Sequence, residues 1–469
     1  MLEIIKLALH GIIRYNKLHT EGSVEMRKNA VYTVTLIVIL ALLCLMTLAG
    51  CADTGEENPA PAGESAAPQD EAPADGPATV RFAGFSAGEQ YAQTFQNMLS
   101  LFSEAHPQIT VIDESAGYGD YFTELAADVG SGRAPDVFEL DAAHIADFTA
   151  SELIQPMEPA LINSDLGIYR KGLIRLCIID TQLMALPFSF HTVMLVYNMD
   201  LFDAAGIDYP ASEWVWDDVL VAAQEIAKPE EDVWGCYYPI DSFDEFYTRV
   251  MQNRGRMLTS DGTAFTINAP QNVEALQWLQ DLVWVYRVMP TTAEQMGRSE
   301  YDLFAAGKLG MFTTDTRTFS DLRDRCADIR WGVAPEPGNT RQAARVSCSA
   351  LCVNNDAAEP SAAYTLARFL TGDPDVQRLR LDAGWDLPAV SNPSVMKAYV
   401  NDTPPANKAA VMEAADRSVR PFVMEDIGIL ADQILPPHLQ AVRDNEEIPL
   451  KALNAAQMEA ERRISLPKQ

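Results

Sequence analysis

The sequence predicts an α/β fold, with helices covering a parallel sheet and the chain divided between two lobes. Strand and helix patterns alternate over Thr79–Leu140, the rhythm of strands joined by crossover helices. Strand-like and helical segments resume at Met194 and again at Arg345. With an apolar N-terminal segment and a linker set aside, roughly 390 residues remain, too many for one core and about right for two.

Met26–Cys51 reads MRKNAVYTVTLIVILALLCLMTLAGC. Arg27 and Lys28 give a positive start, Ala30–Ala49 carry no charge, and small residues lead into Cys51. This is the pattern of a secretory signal, and Leu48-Ala49-Gly50-Cys51 resembles the lipobox of bacterial lipoproteins. The resemblance implies that residues 26–50 are a lipoprotein signal peptide. It also implies that Cys51 is lipidated as the new N-terminus and that the rest is anchored on the extracellular face of the cell membrane. The alternative is a permanent membrane-spanning helix of about 20 apolar residues; its acidic C-terminal flank is outside as well. Residues 1–25 fit neither a signal nor a domain, so they read as an N-terminal extension and Met26 as the natural start. Residues 51–78 are rich in Ala, Pro and Gly, with acidic residues from Asp53 to Asp75 and no basic one. They have almost nothing to bury and read as a disordered acidic linker.

Thr79–Phe85 reads as a strand. Gln90–Ala105 carries Tyr91, Phe95, Met98, Leu99 and Phe102 at helical spacing, and Pro107 ends it. Ile109–Ile112 is a second strand. Tyr118–Ser131 is a second helix with Tyr121, Phe122, Leu125 and Val129 on one face, and Asp136–Leu140 is a third strand. Met194–Tyr197 reads as a strand and Leu201–Ala205 as a short helix. Trp216-Asp217-Asp218 opens a helix to Ala227, its acids placed where a helix start favours them. Asn272–Tyr286 is an amphipathic helix, and Ser299–Ala306 a short one. Arg345–Val353 is strand-like; Pro360–Leu370 and Pro374–Ala383 are helical. Residues 405–463 are mostly helical, with breaks at Pro421 and at Pro436-Pro437.

The formal net charge of −31 argues against nucleic acid, whose phosphates need a basic surface; it suits a soluble protein with a neutral or cationic small ligand. After Cys44 and Cys51 an odd set remains, Cys177, Cys236, Cys326, Cys348 and Cys352, so this is no disulfide scaffold. Cys348 and Cys352, four residues apart on a strand, would lie about 13 Å apart, beyond the roughly 7 Å a disulfide spans. They read as small buried residues. There is no Walker A loop, HExxH, Gly-x-Ser-x-Gly, CxxC or EF-type calcium loop, so no cofactor, metal or catalytic residue is expected.

Six segments carry a further resemblance. They are Gly132-Arg133-Ala134-Pro135-Asp136-Val137-Phe138; Ala185-Leu186-Pro187-Phe188 with Leu195–Phe202 (LVYNMDLF) and Ala205-Gly206-Ile207; Trp214-Val215-Trp216-Asp217-Asp218; Phe304-Ala305-Ala306-Gly307-Lys308-Leu309-Gly310-Met311; Trp331–Gly338 (WGVAPEPG); and Gly384-Trp385-Asp386-Leu387-Pro388-Ala389. In this order they resemble the carbohydrate-type extracellular solute-binding proteins of bacterial ABC importers, the group that includes maltodextrin-binding proteins. Gly310 departs from the family's usual Ala, and its Tyr-x-x-Lys pattern is only partly kept at Tyr118 and Tyr121. The resemblance implies a type II periplasmic-binding-protein fold, with discontinuous lobes joined by hinge strands and ligand in the cleft. Lobe 1 would be residues 79–192 plus 335–388, and lobe 2 residues 193–334 plus 389–469. It implies a monomer that takes a small solute, a sugar or oligosaccharide, by closing its lobes and hands it to ABC permease subunits.

A sugar offers flat C–H faces to aromatic rings and hydroxyls to carboxylates, amides and Arg, so the candidates are such residues in loops at strand ends. Trp385 and Asp386 lie in the Gly-flanked loop; the alternative for Trp385 is lobe packing. Asp141 ends the third strand, or caps a helix. Phe85 and Glu89, with Ser86, follow the first strand, and Tyr118 opens the second helix. Phe188 and His191 follow the first crossing, although a lone His is more often structural. Trp234 and Tyr238, with Tyr237, form an aromatic cluster divided between core and cleft. Asp315 and Arg317 follow the strand of Met311. Trp278 and Trp284 read as core or interface. Two other readings stay open: a binding protein for a non-sugar solute such as a polyamine or peptide, and a secreted carbohydrate-active enzyme with paired carboxylates.

Overall fold

Burial on both faces of a sheet calls for apolar strands bounded by turns, and the described chain is organised by one such strand. The structure, a computed structural model, describes residues 77–157, 166–419, 422, 424 and 426–466. The expected signal peptide, Cys51, the linker as far as residue 76 and the break at Pro421 lie outside the described residues. Among the described residues no helix is long and apolar enough to cross a membrane.

Strands β1 (Ala78–Ala83), β2 (Ile109–Asp113) and β3 (Val137–Asp141) are parallel, with β1 between the others. The helices Gly88–Ala105 and Tyr118–Gly130 cross between them, as their periodicity predicts. The first turns Phe95, Met98 and Phe102 onto the sheet, where Phe95 packs against Phe82 with ring centroids 5.0 Å apart. A small antiparallel pair, β4 (Ile178–Ile179) and β5 (Gln182–Leu183), precedes β6 (Leu186–Asn198), a strand of 13 residues. Then follow β7 (Trp234–Tyr237), β8 (Leu309–Asp315), β9 (Trp331–Pro335), β10 (Ala344–Val353), β11 (Leu387–Pro388) and β12 (Ser418–Val419).

The main sheet runs β2-β1-β3-β10-β6-β8-β7, with β9 and β11 also on β6 and β12 on β10. Strand β6 changes neighbours along its length. Its first half, Leu186–Thr192, pairs antiparallel with β10; its second, from Val193, pairs antiparallel with β8 and β9. One strand thus joins two halves of a two-lobed α/β fold, the first built on β1–β3 and the second on β7–β9. The sequence predicts only Met194–Tyr197 of it; a strand buried on both faces has no alternation to mark its start.

Two further expectations are corrected. Pro436 and Pro437 leave no gap in the helical path but mark a change of type: a π-helix, Ile429–Ile434, runs directly into Leu435–Arg443, whose first turn holds both prolines. Phe243–Gln252 is a helix that the sequence pattern does not reveal. It buries Arg249 against Glu245 (2.5 Å) and Glu336 (2.7 Å), all at most 2% exposed. The five described cysteines are buried and unbridged. Trp278 packs in the core against Trp216, while Trp284 is 38% exposed and donates its indole N–H to the Arg443 carbonyl.

Candidate ligand-binding cleft

Parallel strands that end together leave loops and helix starts at one edge, the usual place for a binding site in α/β proteins. Here that edge faces a cleft of about 760 Å³. Phe85 follows β1, Asp141 ends β3, and Tyr118 opens the helix between β2 and β3; all three line it. Asp386 and Trp385, before β11, continue this wall. The opposite wall comes from the turn and helix after β8, through Arg317 and Arg323, and from Tyr399, Asp402 and Lys408. Between the walls lie Ser189 and His191 of β6 with Ser347 and Ser349 of β10.

Tyr118 is the aromatic surface most open to a ligand. It is 66% exposed and stands edge-on against Phe85 (5.4 Å, 82°) and Phe122 (5.5 Å, 78°). Edge-to-face packing fixes the ring while leaving a face uncovered. Asp141 lines the cleft and caps its own turn, Oδ1 accepting from the Ala143 N–H at 2.9 Å. Asp315 stands behind the lining. Its Oδ2 is 2.5 Å from His191 Nδ1, and its Oδ1 accepts from Arg317 Nε at 3.0 Å. Burial alone would raise the Asp315 carboxyl, but the His191 hydrogen bond and charge, with Arg317, hold it below its ordinary value.

Trp385, expected from the sequence to stack on a sugar, is only 6% exposed. Tyr91 lies parallel to it (5.2 Å, 5°), and the Arg380 guanidinium sits 4.0 Å from the ring centroid. Little of its face remains open. Phe188 is buried beneath, also 4.0 Å from Arg380. Trp234 and Tyr238 are core residues of the second half, at most 1% exposed, and Glu89 is exposed on the first helix outside the cleft lining. Trp234 lies on β7, beneath the helix Trp216–Ile226, and Tyr238, just past β7, packs against Trp278, so both are held in this core and stand away from the cleft.

Sequence reasoning missed Tyr91, Arg323, Tyr399, Asp402 and Lys408. Tyr91 had a signal, since it lies on the first turns of a helix that starts at the cleft; the others come from segments without a motif. They form an ion cluster: Arg323 Nη2 lies 2.5 Å and Lys408 Nζ 2.8 Å from Asp402 Oδ2. These two hydrogen bonds depress the Asp402 carboxyl, while burial lowers the Lys408 ammonium against the pull of Asp402. Each cation of the lining, Arg317, Arg323 and Lys408, is therefore already paired with a carboxylate. Among the described residues no cluster of His, Cys, Asp or Glu is arranged to hold a metal ion.

Residues 86–377 match the bacterial extracellular solute-binding protein family. Among curated proteins, the maltotriose-binding protein of Pyrococcus abyssi is 21% identical over 64% of each chain. The arabinooligosaccharide-binding protein of Halalkalibacterium halodurans is 22% identical over 43% of this chain and 46% of its own. Among solved structures, an ABC substrate-binding protein from Listeria monocytogenes in complex with cycloalternan aligns with a TM-score of 0.63 at 29% identity. It covers 82% of this chain and 98% of its own. The sugar-binding protein MalE from Xanthomonas citri aligns with a TM-score of 0.69 at 20% identity, covering 82% and 98%.

Proposed function

The chain belongs to the family of bacterial extracellular solute-binding proteins, and from that premise we propose that it captures a neutral sugar or oligosaccharide and delivers it, chemically unchanged, to an ABC importer. Lobe 1 is residues 79–192 plus 335–388 and lobe 2 residues 193–334 plus 389–469. Ligand touches both and so stabilises the closed arrangement. Cys51 carries the lipid that moors the protein outside the membrane, the acidic linker serves as spacer, and the protein works as a monomer.

One observation carries the choice of ligand. An open Tyr118 ring stands at a cleft whose hydroxyl- and carboxylate-rich lining has every cation already ion-paired. A stacking platform with neutralised charge fits a polyhydroxylated neutral solute, and a phosphate or uronate would lack a free cation. The volume falls within the roughly 300–1,000 Å³ of small-molecule sites. The ligands for which these relatives are named, maltotriose, arabinooligosaccharide and cycloalternan, are of this kind.

The test is thermal melting against a panel of neutral oligosaccharides, a polyamine and a short peptide. A ligand at about 100 times its Kd adds about 2.7 kcal/mol. Stabilisation by the polyamine or peptide alone, or release of reducing ends on incubation, overturns the sugar-binding reading. For the anchor, Cys51→Ala should free the protein from membranes or block its processing; unchanged retention with the leader attached would indicate a spanning helix instead.

A further inference from the structure

Arg380 lies on the helix Pro374–Asp382 with no exposed surface. Its Nε, Nη1 and Nη2 have no hydrogen-bond partner. A buried cation without hydrogen bonds is costly, and an apolar side chain of similar volume would normally be favoured in its place. What it does contact is aromatic. The guanidinium sits 4.0 Å from the ring centroids of both Phe188 and Trp385, in the corner between two rings inclined at 79°. Cation–π attraction is strongest where water is excluded.

The backbone reinforces the same contact. After Gly384, whose φ is +68°, the chain doubles back so that the Trp385 N–H donates to the Arg380 carbonyl at 3.1 Å. The Tyr91 hydroxyl donates to the Gly384 carbonyl at 3.2 Å, and the Tyr91 ring is parallel to the indole. A buried carboxyl stands behind the neighbouring loop. Glu139, 1% exposed, accepts through Oε2 from the Phe85 and Ser86 N–H groups at 3.0 and 3.1 Å. Burial pushes the Arg380 guanidinium down, and the carboxyl groups of Glu139 and Asp386 hold it up.

We propose that Arg380 is a positioning residue of the cleft: it locks the Tyr91–Trp385–Asp386 wall in place before ligand arrives and so sets affinity without touching the ligand. The proposal rests on the reading of this cleft as the ligand site. Preorganised walls lose less freedom on binding.

The experiment compares Arg380→Met, Arg380→Lys and Trp385→Phe with the parent protein, by acrylamide quenching of tryptophan emission, by melting, and by titration with maltotetraose and other neutral maltooligosaccharides. Arg380→Met fills the space without charge and should melt at or above the parent temperature. Its Trp385 emission, identified by difference from Trp385→Phe, should become quenchable, and affinity should fall roughly 30-fold, the equivalent of one desolvated cation–π contact. Arg380→Lys, which keeps the charge but not the flat guanidinium, should fall between. If Arg380→Met does not fold, Arg380→Lys decides by the same two readings. Unchanged quenching together with unchanged affinity, or an affinity loss that merely tracks a lowered melting temperature, overturns the proposal. If the parent binds none of these sugars, the ligand reading fails while quenching still decides the role of Arg380.

Discussion

Arg249 is shared by two buried carboxylates, Glu245 at 2.5 Å and Glu336 at 2.7 Å, and removing it is the most informative single change to the core. The guanidinium also lies 4.8 Å from the Tyr238 ring centroid and donates to Gln252 Oε1 at 2.8 Å. Two carboxylates share one cation. Burial pushes the Glu336 carboxyl from 4.5 up to about 7, Arg249 holding it down and Glu245 pushing it up. A carboxyl whose pKa is raised by folding stabilises the fold below its unfolded value and loses that contribution as pH rises through the folded value. For Glu336 the window is therefore pH 4.5 to about 7, and the swing is about 3 kcal/mol. In Arg249→Met the counter-charge disappears and two buried acids face each other, so stability at pH 7.5 should fall by about 3–5 kcal/mol. The loss should shrink towards pH 5, where Glu336 takes up a proton. Urea unfolding of parent and variant at pH 5, 6, 7 and 8 reads this directly. A destabilisation independent of pH, or one larger at pH 5 than at pH 8, would refute the shared-cation argument and leave only a packing defect.

Tyr118→Ala removes a ring that is 66% exposed and whose burial under a stacked ligand is worth about 1–2 kcal/mol; calorimetric titration with a sugar that stabilises the parent in melting should show Kd weaker by roughly 5- to 30-fold at nearly constant melting temperature. Gly235→Ala places a Cβ 2.2 Å from the Ala223 carbonyl oxygen and 2.5 Å from its Cα, both backbone of the helix packed on β7. The denaturation midpoint should drop by an amount equivalent to about 1–3 kcal/mol, and an unchanged midpoint would mean that helix and strand are not held that close.

The first half of the molecule was legible in the sequence because each of its elements buries one face. Phe95, Met98 and Phe102 recur at helical spacing, and β1 to β3 are short apolar runs between turns. The helix Phe243–Gln252 was hidden for the opposite reason: Glu245, Thr248, Arg249 and Gln252 are buried beside Phe246 and Val250, so its inner face does not read as apolar. The candidate site divides similarly. Tyr118, Asp141 and Asp386 follow from their places at strand and helix ends. Arg323 and Asp402 are partners 79 residues apart, joined by the path of the chain and marked by no local pattern. Trp385 was legible as a cleft residue, but its cover of Tyr91 and Arg380 was not, since Arg380 sits on a helix whose exposed positions are equally polar.

The change of partners along β6 explains why polar side chains gather where the two halves meet. A ladder cannot continue through the point at which one strand exchanges β10 for β8, and buried backbone groups there need other partners. Thr192 supplies two: its N–H donates to Thr316 Oγ1 at 3.2 Å, and its hydroxyl donates to the Arg345 carbonyl at 3.0 Å. His191, just before the switch on β6, and Asp315, opposite Val193 at the end of β8, add a third link. Side-chain hydrogen bonds rotate more freely than a ladder, so under the proposed closure this is where relative motion of the halves would be absorbed at least cost. His191 also lines the cleft. A solute that touches it therefore acts on the same hydrogen bond that spans the two halves, which ties occupancy of the cleft to their arrangement through a single pair of side chains.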